Sequence, residues 1–145
     1  MDTYLLLWEQ MDNVLKRIVL AVVVREGAVL MIERRKKEKS KDGAVLSWTF
    51  PGGKLEDSET VHEAVTREVL EETGYIVNPK TIIDQRQHDS FPVLVSYIAC
   101  EVDELSVQTK TNDSEILNVK WIKIKDIENY ITSSLNERVR NYLEL

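Results

Sequence analysis

Glu68, Glu71 and Glu72 are the residues of this sequence whose type and spacing most directly suggest chemistry. They stand at i, i+3 and i+4, so on an α-helix their carboxylates share one face. The segment reads as a helix from Thr60 to Glu72. Thr60 and Glu63 have the spacing of a capping box, and Gly74 stands where a left-handed C-terminal cap belongs. Val61, Ala64 and Val65 form the apolar stripe of that helix, and one turn further the stripe runs into the three glutamates. The acids therefore occupy the core-facing side, in the last turns, where the helix dipole disfavours negative charge and like charges at i,i+4 repel. Three arrangements relieve this: carboxylates with raised pKa, a divalent cation held among them, or a solvated acidic face paired with lysines. Oxygen-only ligation suits Mg²⁺, which keeps several waters and shares its shell with substrate phosphates. Pro51-Gly52-Gly53, just ahead of the helix, permits backbone conformations that bring a carbonyl oxygen close to a metal or a phosphate.

The elements that must position these acids alternate strand and turn. Arg17 to Arg25 is apolar on both faces, as in a central strand, and Glu26-Gly27 turns it into a return strand from Ala28 to Arg34. Lys36 to Gly43 reads as a charged loop, and Ser47 to Phe50 as a short strand ended by Pro51. Lys80 to His88, Pro92 to Val102 and Ile116 to Ile124 read as further strands, with a polar loop over Asp103 to Ser114. Asp126 to Ile131 and Asn136 to Leu143 read as helical. Tyr4, Leu7, Trp8, Met11, Val14 and Leu15 recur at helical spacing. Residues 1–16 are thus expected to be an amphipathic arm, docked on the domain or serving a dimer, ahead of one domain over 17–145.

Composition narrows the chemistry. The chain has 145 residues, the size of one domain, and 19 basic against 25 acidic residues give a net charge of −6. That balance argues against a general grip on nucleic acid polymers. Cys100 is the single cysteine, which excludes an internal disulfide and a cysteine-built metal site, and two histidines do not make a histidine-rich one. A metal here must be held mainly by oxygens, which favours Mg²⁺, Mn²⁺ or Ca²⁺. The start Met1-Asp2-Thr3 lacks the basic opening of a signal peptide, and Tyr4 to Trp8 is too short to span a bilayer, so a cytoplasmic protein without membrane contact is expected.

Gly53 to Tyr75 resembles the Nudix box, G-x5-E-x7-R-E-U-x-E-E-x-G-U, where U is a bulky aliphatic. The seven fixed positions, Gly53, Glu59, Arg67, Glu68, Glu71, Glu72 and Gly74, agree in type and spacing, and Tyr75 departs where an aliphatic is usual. The resemblance covers 23 of 145 residues. It implies an α/β fold: a Nudix-type α/β/α sandwich with a mixed central sheet and the box helix beside it. It implies a hydrolase that cleaves the diphosphate bridge of a nucleoside diphosphate derivative with Mg²⁺, Mn²⁺ being a possible substitute. By box position Glu68, Glu71 and Glu72 are the implied metal ligands, with the Gly52 carbonyl, and Glu68 is the implied general base. Gly53, Glu59, Arg67 and Gly74 are implied to stabilise the box. A further acid outside the box binds metal or activates water in many relatives, and Glu115 is similar in placement, with a solvated loop acid as the alternative. Glu68, Glu71 and Glu115 are thus the expected catalytic acids.

For the substrate, Arg34 and Arg35 end a strand close to where relatives hold phosphates or a base, or else are surface charge. Phe50 matches the aromatic of the nucleoside pocket in MutT-type relatives, or packs in the core. Asn136 matches an asparagine that reads a purine edge there, or caps a helix over 137–143. The compact length favours a (d)NTP cleaved to NMP and pyrophosphate by a monomer or homodimer. ADP-ribose or another nucleotide sugar is the alternative substrate, and a non-catalytic nucleotide-binding module the alternative function.

Overall fold

The computed structural model describes residues 15–39, 45–88, 92–111, 113–131 and 134–145. The expected N-terminal helix, apart from Leu15, and the tip of the lysine-rich loop lie outside these residues. Strands β1 (Lys16–Arg25), β2 (Ala28–Lys39), β3 (Val45–Thr49) and β4 (Gly52–Lys54) precede helix α1 (Val61–Thr73). Then come β5 (Val77–Gln87), β6 (Val93–Val102), β7 (Ile116–Lys123), a 3₁₀ turn (Ile124–Asn129) and helix α2 (Glu137–Tyr142). Among the described residues the strands form one seven-stranded mixed sheet, with β1 parallel to β6 and antiparallel to β2.

The alternation of β1 sets the layers. Val19, Ala21 and Val23 point to one face and pack with Ala64, Val65 and Val69 of α1. Val22 points to the other, with Ile127 of the 3₁₀ turn and Val139 and Leu143 of the α2 region. The sheet is therefore buried on both sides, which is why β1 and the start of β2 read as unbroken apolar runs. Leu30, Met31 and Ile32 are fully buried in succession, each burial worth roughly 1.5–3 kcal/mol.

The site is positioned by a split in this sheet. After the hairpin, β1 pairs with β2 only at Val24–Val29 and Arg25–Ala28. Further along, the same edge of β2 pairs with β3, and the freed edge of β1 pairs with β4 at Ile18–Lys54, Val19–Gly53 and Leu20–Gly52. Phe50 and Pro51 cross the gap, and the Pro51 carbonyl accepts a 2.8 Å hydrogen bond from the Ala21 amide. The sequence reading ended its strand at this Pro-Gly-Gly; in the structure the two glycines are themselves a strand. The Gly52 Cα lies so close to Val19 that a Cβ there would stand 2.0 Å from its carbonyl oxygen. Glycine at 52 is thus a condition of the pairing.

Other boundaries differ from expectation. β2 runs on through Lys36–Lys39, read above as loop, and pairs there with β3 at Glu38–Leu46 and Lys39–Val45 after a register shift. β5 begins at Val77, ahead of the expected Lys80, because a register shift between Pro79 and Thr81 absorbs a proline that cannot donate to the ladder. The stretch expected to be helical over Asp126 to Ile131 is instead a 3₁₀ turn over Ile124–Asn129.

Candidate active site

Helix α1 begins and ends on the expected caps. The Thr60 hydroxyl accepts from the Glu63 amide, the Glu63 carboxylate accepts from the Thr60 amide, and Gly74 adopts φ 79° and donates to the Leu70 carbonyl. A Cβ at Gly74 would also meet the Thr109 carbonyl at 2.0 Å, so the following loop seats directly on the helix end.

The three glutamates share a face but not an environment. Glu72 is 3% exposed, the Glu68 side chain 14% and the Glu71 side chain 53%, a gradient from core to surface. Glu72 reaches the split in the sheet: its Oε1 accepts a 2.7 Å hydrogen bond from the Gly52 amide. Arg34 Nη2 lies 3.3 Å from Glu72 Oε2 and donates to the Gly52 carbonyl at 3.2 Å. Burial outweighs these contacts and pushes the Glu72 carboxyl up to about 8; Arg34 and the Gly52 amide pull the other way. Burial likewise raises Glu68, opposed by Arg67. A Cβ at Gly53 would stand 2.7 Å from the Glu68 carboxylate, so the absent side chain is the space Glu68 occupies.

Arg67 holds the outer half together. Its Nε and Nη2 clasp both oxygens of Glu59 at 2.6 and 2.9 Å, and Nη2 also donates to the Lys54 carbonyl. Its Nη1 contacts Glu68 at 3.0 Å and Glu71 at 3.2 Å. The hydrogen bond from Arg67 is the main reason the Glu59 carboxyl falls to about 2. The crowded acids are therefore relieved partly by raised pKa and partly by Arg34 and Arg67, rather than by lysines. Among the described residues no three acidic, histidine or cysteine side chains already converge as a cation cage. The donors themselves, carboxylates and a peptide carbonyl, have the hard-oxygen chemistry of Mg²⁺ or Mn²⁺.

The remaining expected residues divide. Arg34 joins the acids, as above. Arg35 is exposed and turned to the loop before β7: its Nε donates to the Ser114 carbonyl at 2.6 Å and its amide to the Glu115 carbonyl. Glu115 is exposed, and its amide donates to Asp113. Asp113, which sequence did not single out, is the loop acid whose charge helps raise Glu72, and with Glu71 it lines a shallow surface cavity. It stands two residues before Glu115 in one Asp-Ser-Glu run, so spacing alone could not choose between them. Phe50 is buried at 4% exposure, with its ring edge-on to Tyr97, and Asn136 caps α2 through a 3.0 Å bond from the Val139 amide. Both also line a cavity of about 200 Å³ with Leu20, Trp48 and Tyr97. A second cavity, about 240 Å³ and lined by Arg86, His88 and Tyr97, shares its Ser134–Asn136 wall. Together they form one cleft on the sheet face opposite α1, with Phe50 two residues from Gly52. Tyr75, the departure from the box, fills its slot as a ring packed edge-on to Trp121, and its hydroxyl accepts from the Trp121 indole at 3.2 Å.

Comparison with known proteins agrees with this architecture. The NUDIX domain profile matches residues 14–142. The chain is 34% identical over 112 residues to the phosphatase NudJ of Escherichia coli K12, spanning 75% of this chain and 69% of NudJ. It is 32% identical over 105 residues to the 8-oxo-dGDP phosphatase NUDT18 of Mus musculus, spanning 72% of this chain but only 31% of the mouse protein. A NUDIX hydrolase from Nitrosomonas europaea shares the fold with a TM-score of 0.71 at 22% identity, over 90% of this chain and 86% of that one.

Proposed function

The chain belongs to the NUDIX family of hydrolases, and from that premise we propose that it is an Mg²⁺-dependent pyrophosphohydrolase that cleaves a (d)NTP to NMP and pyrophosphate. The observation that carries this reading is the Gly52–Glu72 tie. It sets the buried Glu72 of α1 against the peptide of β4, two residues from Phe50 and the cleft it lines. Glu68, Glu71 and Glu72, with the Gly52 carbonyl, are the residues that would hold the cation. Glu115 remains the outer acid implied by placement, and Asp113 stands beside it as a second candidate, since it lines one surface cavity with Glu71.

A divalent cation held by these residues would supply charge neutralisation for the phosphates and activation of water. The chain's own part is proton handling and positioning. Glu68, half-sunk against Gly53 and raised by burial, is suited to take a proton from the attacking water. Arg67 keeps Glu68 and Glu71 in register with Glu59 and the Lys54 peptide. Arg34, within reach of Glu72 and Gly52, carries a guanidinium to the place where phosphate oxygens would arrive. Phe50 and Asn136 offer the nucleoside a stacking edge and an amide.

The test is a hydrolysis panel with Mg²⁺: the dNTPs, oxidised purine dNTPs and dNDPs, ADP-ribose, NDP-sugars and dinucleoside polyphosphates. The diphosphates belong in it because the mouse relative is named for 8-oxo-dGDP. Release of pyrophosphate and NMP from a dNTP is the expected result. Preferred cleavage of ADP-ribose or a nucleotide sugar would replace the substrate assignment, and no turnover of any member would leave a binding module.

A further inference from the structure

Asn136 is nearly buried, and both ends of its amide are already engaged. Its Oδ1 accepts from the Val139 amide at 3.0 Å, and its Nδ2 donates to Asp84 Oδ2 at 3.0 Å. These partners fix which end is which. A backbone N–H can only donate and a carboxylate can only accept, so flipping the amide would set donor against donor and acceptor against acceptor. Asp84 is itself anchored: its Oδ1 accepts from the Gln85 amide at 2.9 Å and faces Arg138 Nε at 3.8 Å, and its side chain is only 14% exposed. It stands on β5 opposite Tyr97, a residue of the cleft wall that it shares with Asn136.

With the cap and Asp84 satisfied, the amide keeps one N–H and one oxygen lone pair. That donor–acceptor pair is what an asparagine uses to read adjacent acceptor and donor atoms on the edge of a purine. We infer that Asp84 is a positioning residue for nucleobase choice: it locks the Asn136 amide in one orientation at the cleft wall and so sets the hydrogen-bond pattern a purine meets there. The inference rests on the reading of Asn136 as a base contact given above. Asp84 does not touch the nucleotide. It acts by leaving Asn136 a single amide orientation, with its carboxylate holding one N–H.

The test measures binding of AMP and GMP to the full chain by calorimetry in Mg²⁺, for wild type, Asn136→Ala, Asp84→Ala and Asp84→Asn. The two Kd values of the wild type are expected to differ by about five-fold or more, the low end of what one bidentate contact gives. Both alanine variants should bring the ratio close to one, and Asp84→Asn, which keeps an acceptor but can rotate, should fall between. A structural effect alone would weaken both nucleotides equally and keep the ratio. An unchanged ratio in Asp84→Ala and Asp84→Asn, with a collapsed ratio in Asn136→Ala, overturns the positioning role and leaves the base contact standing. A wild-type ratio near one, no binding of either nucleotide, or a ratio unmoved in Asn136→Ala removes the base contact and the inference with it. If Asp84→Ala does not fold, Asp84→Asn decides.

Discussion

Glu68 and Glu72 owe their character to where one helix turn meets one peptide. Glu68→Gln keeps the shape that fits over Gly53 and removes the ability to take a proton. Turnover of the best substrate should fall roughly 100-fold or more, the usual worth of a general base, with the melting temperature kept; retained turnover would take Glu68 out of the mechanism. Glu72 gives a pH signature. Its carboxyl, ordinarily 4.5, stands at about 8 in the folded chain. Between those values the folded protein holds a proton that the unfolded chain has lost. The associated stability is therefore full below about 4.5 and is lost as pH rises through about 8. In metal-free buffer, urea midpoints should decline from pH 5 to 9 for wild type, and Glu72→Gln should remove that part of the decline. Parallel curves for the two proteins would show that burial does not govern this group.

At the scale of elements, the caps of α1 were legible because each rests on a local rule: Thr60 with Glu63, and Gly74. Thr60→Ala should cost about 1 kcal/mol in denaturant unfolding. The β4 strand was not legible. Three residues including two glycines carry no strand propensity, and only the edge that β1 loses when it leaves β2 recruits them. The two glycines should behave differently when replaced. Gly53→Ala collides with the end of the Glu68 side chain, which can move, so a folded protein with at least about ten-fold less activity is expected. Gly52→Ala collides with the Val19 backbone and should lower the melting temperature markedly. Comparable melting temperatures for both would contradict the close β1–β4 approach. The outer acid was the other residue that periodicity could not reach. Asp113 and Glu115 lie in a loop, where spacing carries no facing rule, so the cavity that Asp113 lines with Glu71 could not be read from the sequence.

At the scale of the molecule, a sheet covered on both faces brings together two things far apart in the chain. The acids come from α1 on one face and the Phe50–Asn136 cleft opens on the other, and the Phe50–Gly52 segment runs between β1 and β2 from the cleft wall to the Glu72 contact. The apolar runs and helix patterns of the sequence were enough for the two-layer cover, since burial on both faces leaves its mark in composition. The pairing of Arg34 with Glu72 was not, because it depends on how far apart β1 and β2 are held. With a net charge of −6, a polyanionic substrate of the kind proposed would meet repulsion unless cations accompanied it. The most direct measurement is thermal unfolding of the wild-type chain titrated with Mg²⁺ at pH 8, since a ligand that binds only the folded state raises its melting point. The account predicts a rise of at least about 3 °C by millimolar Mg²⁺. Superimposable melting curves with and without Mg²⁺ would contradict it.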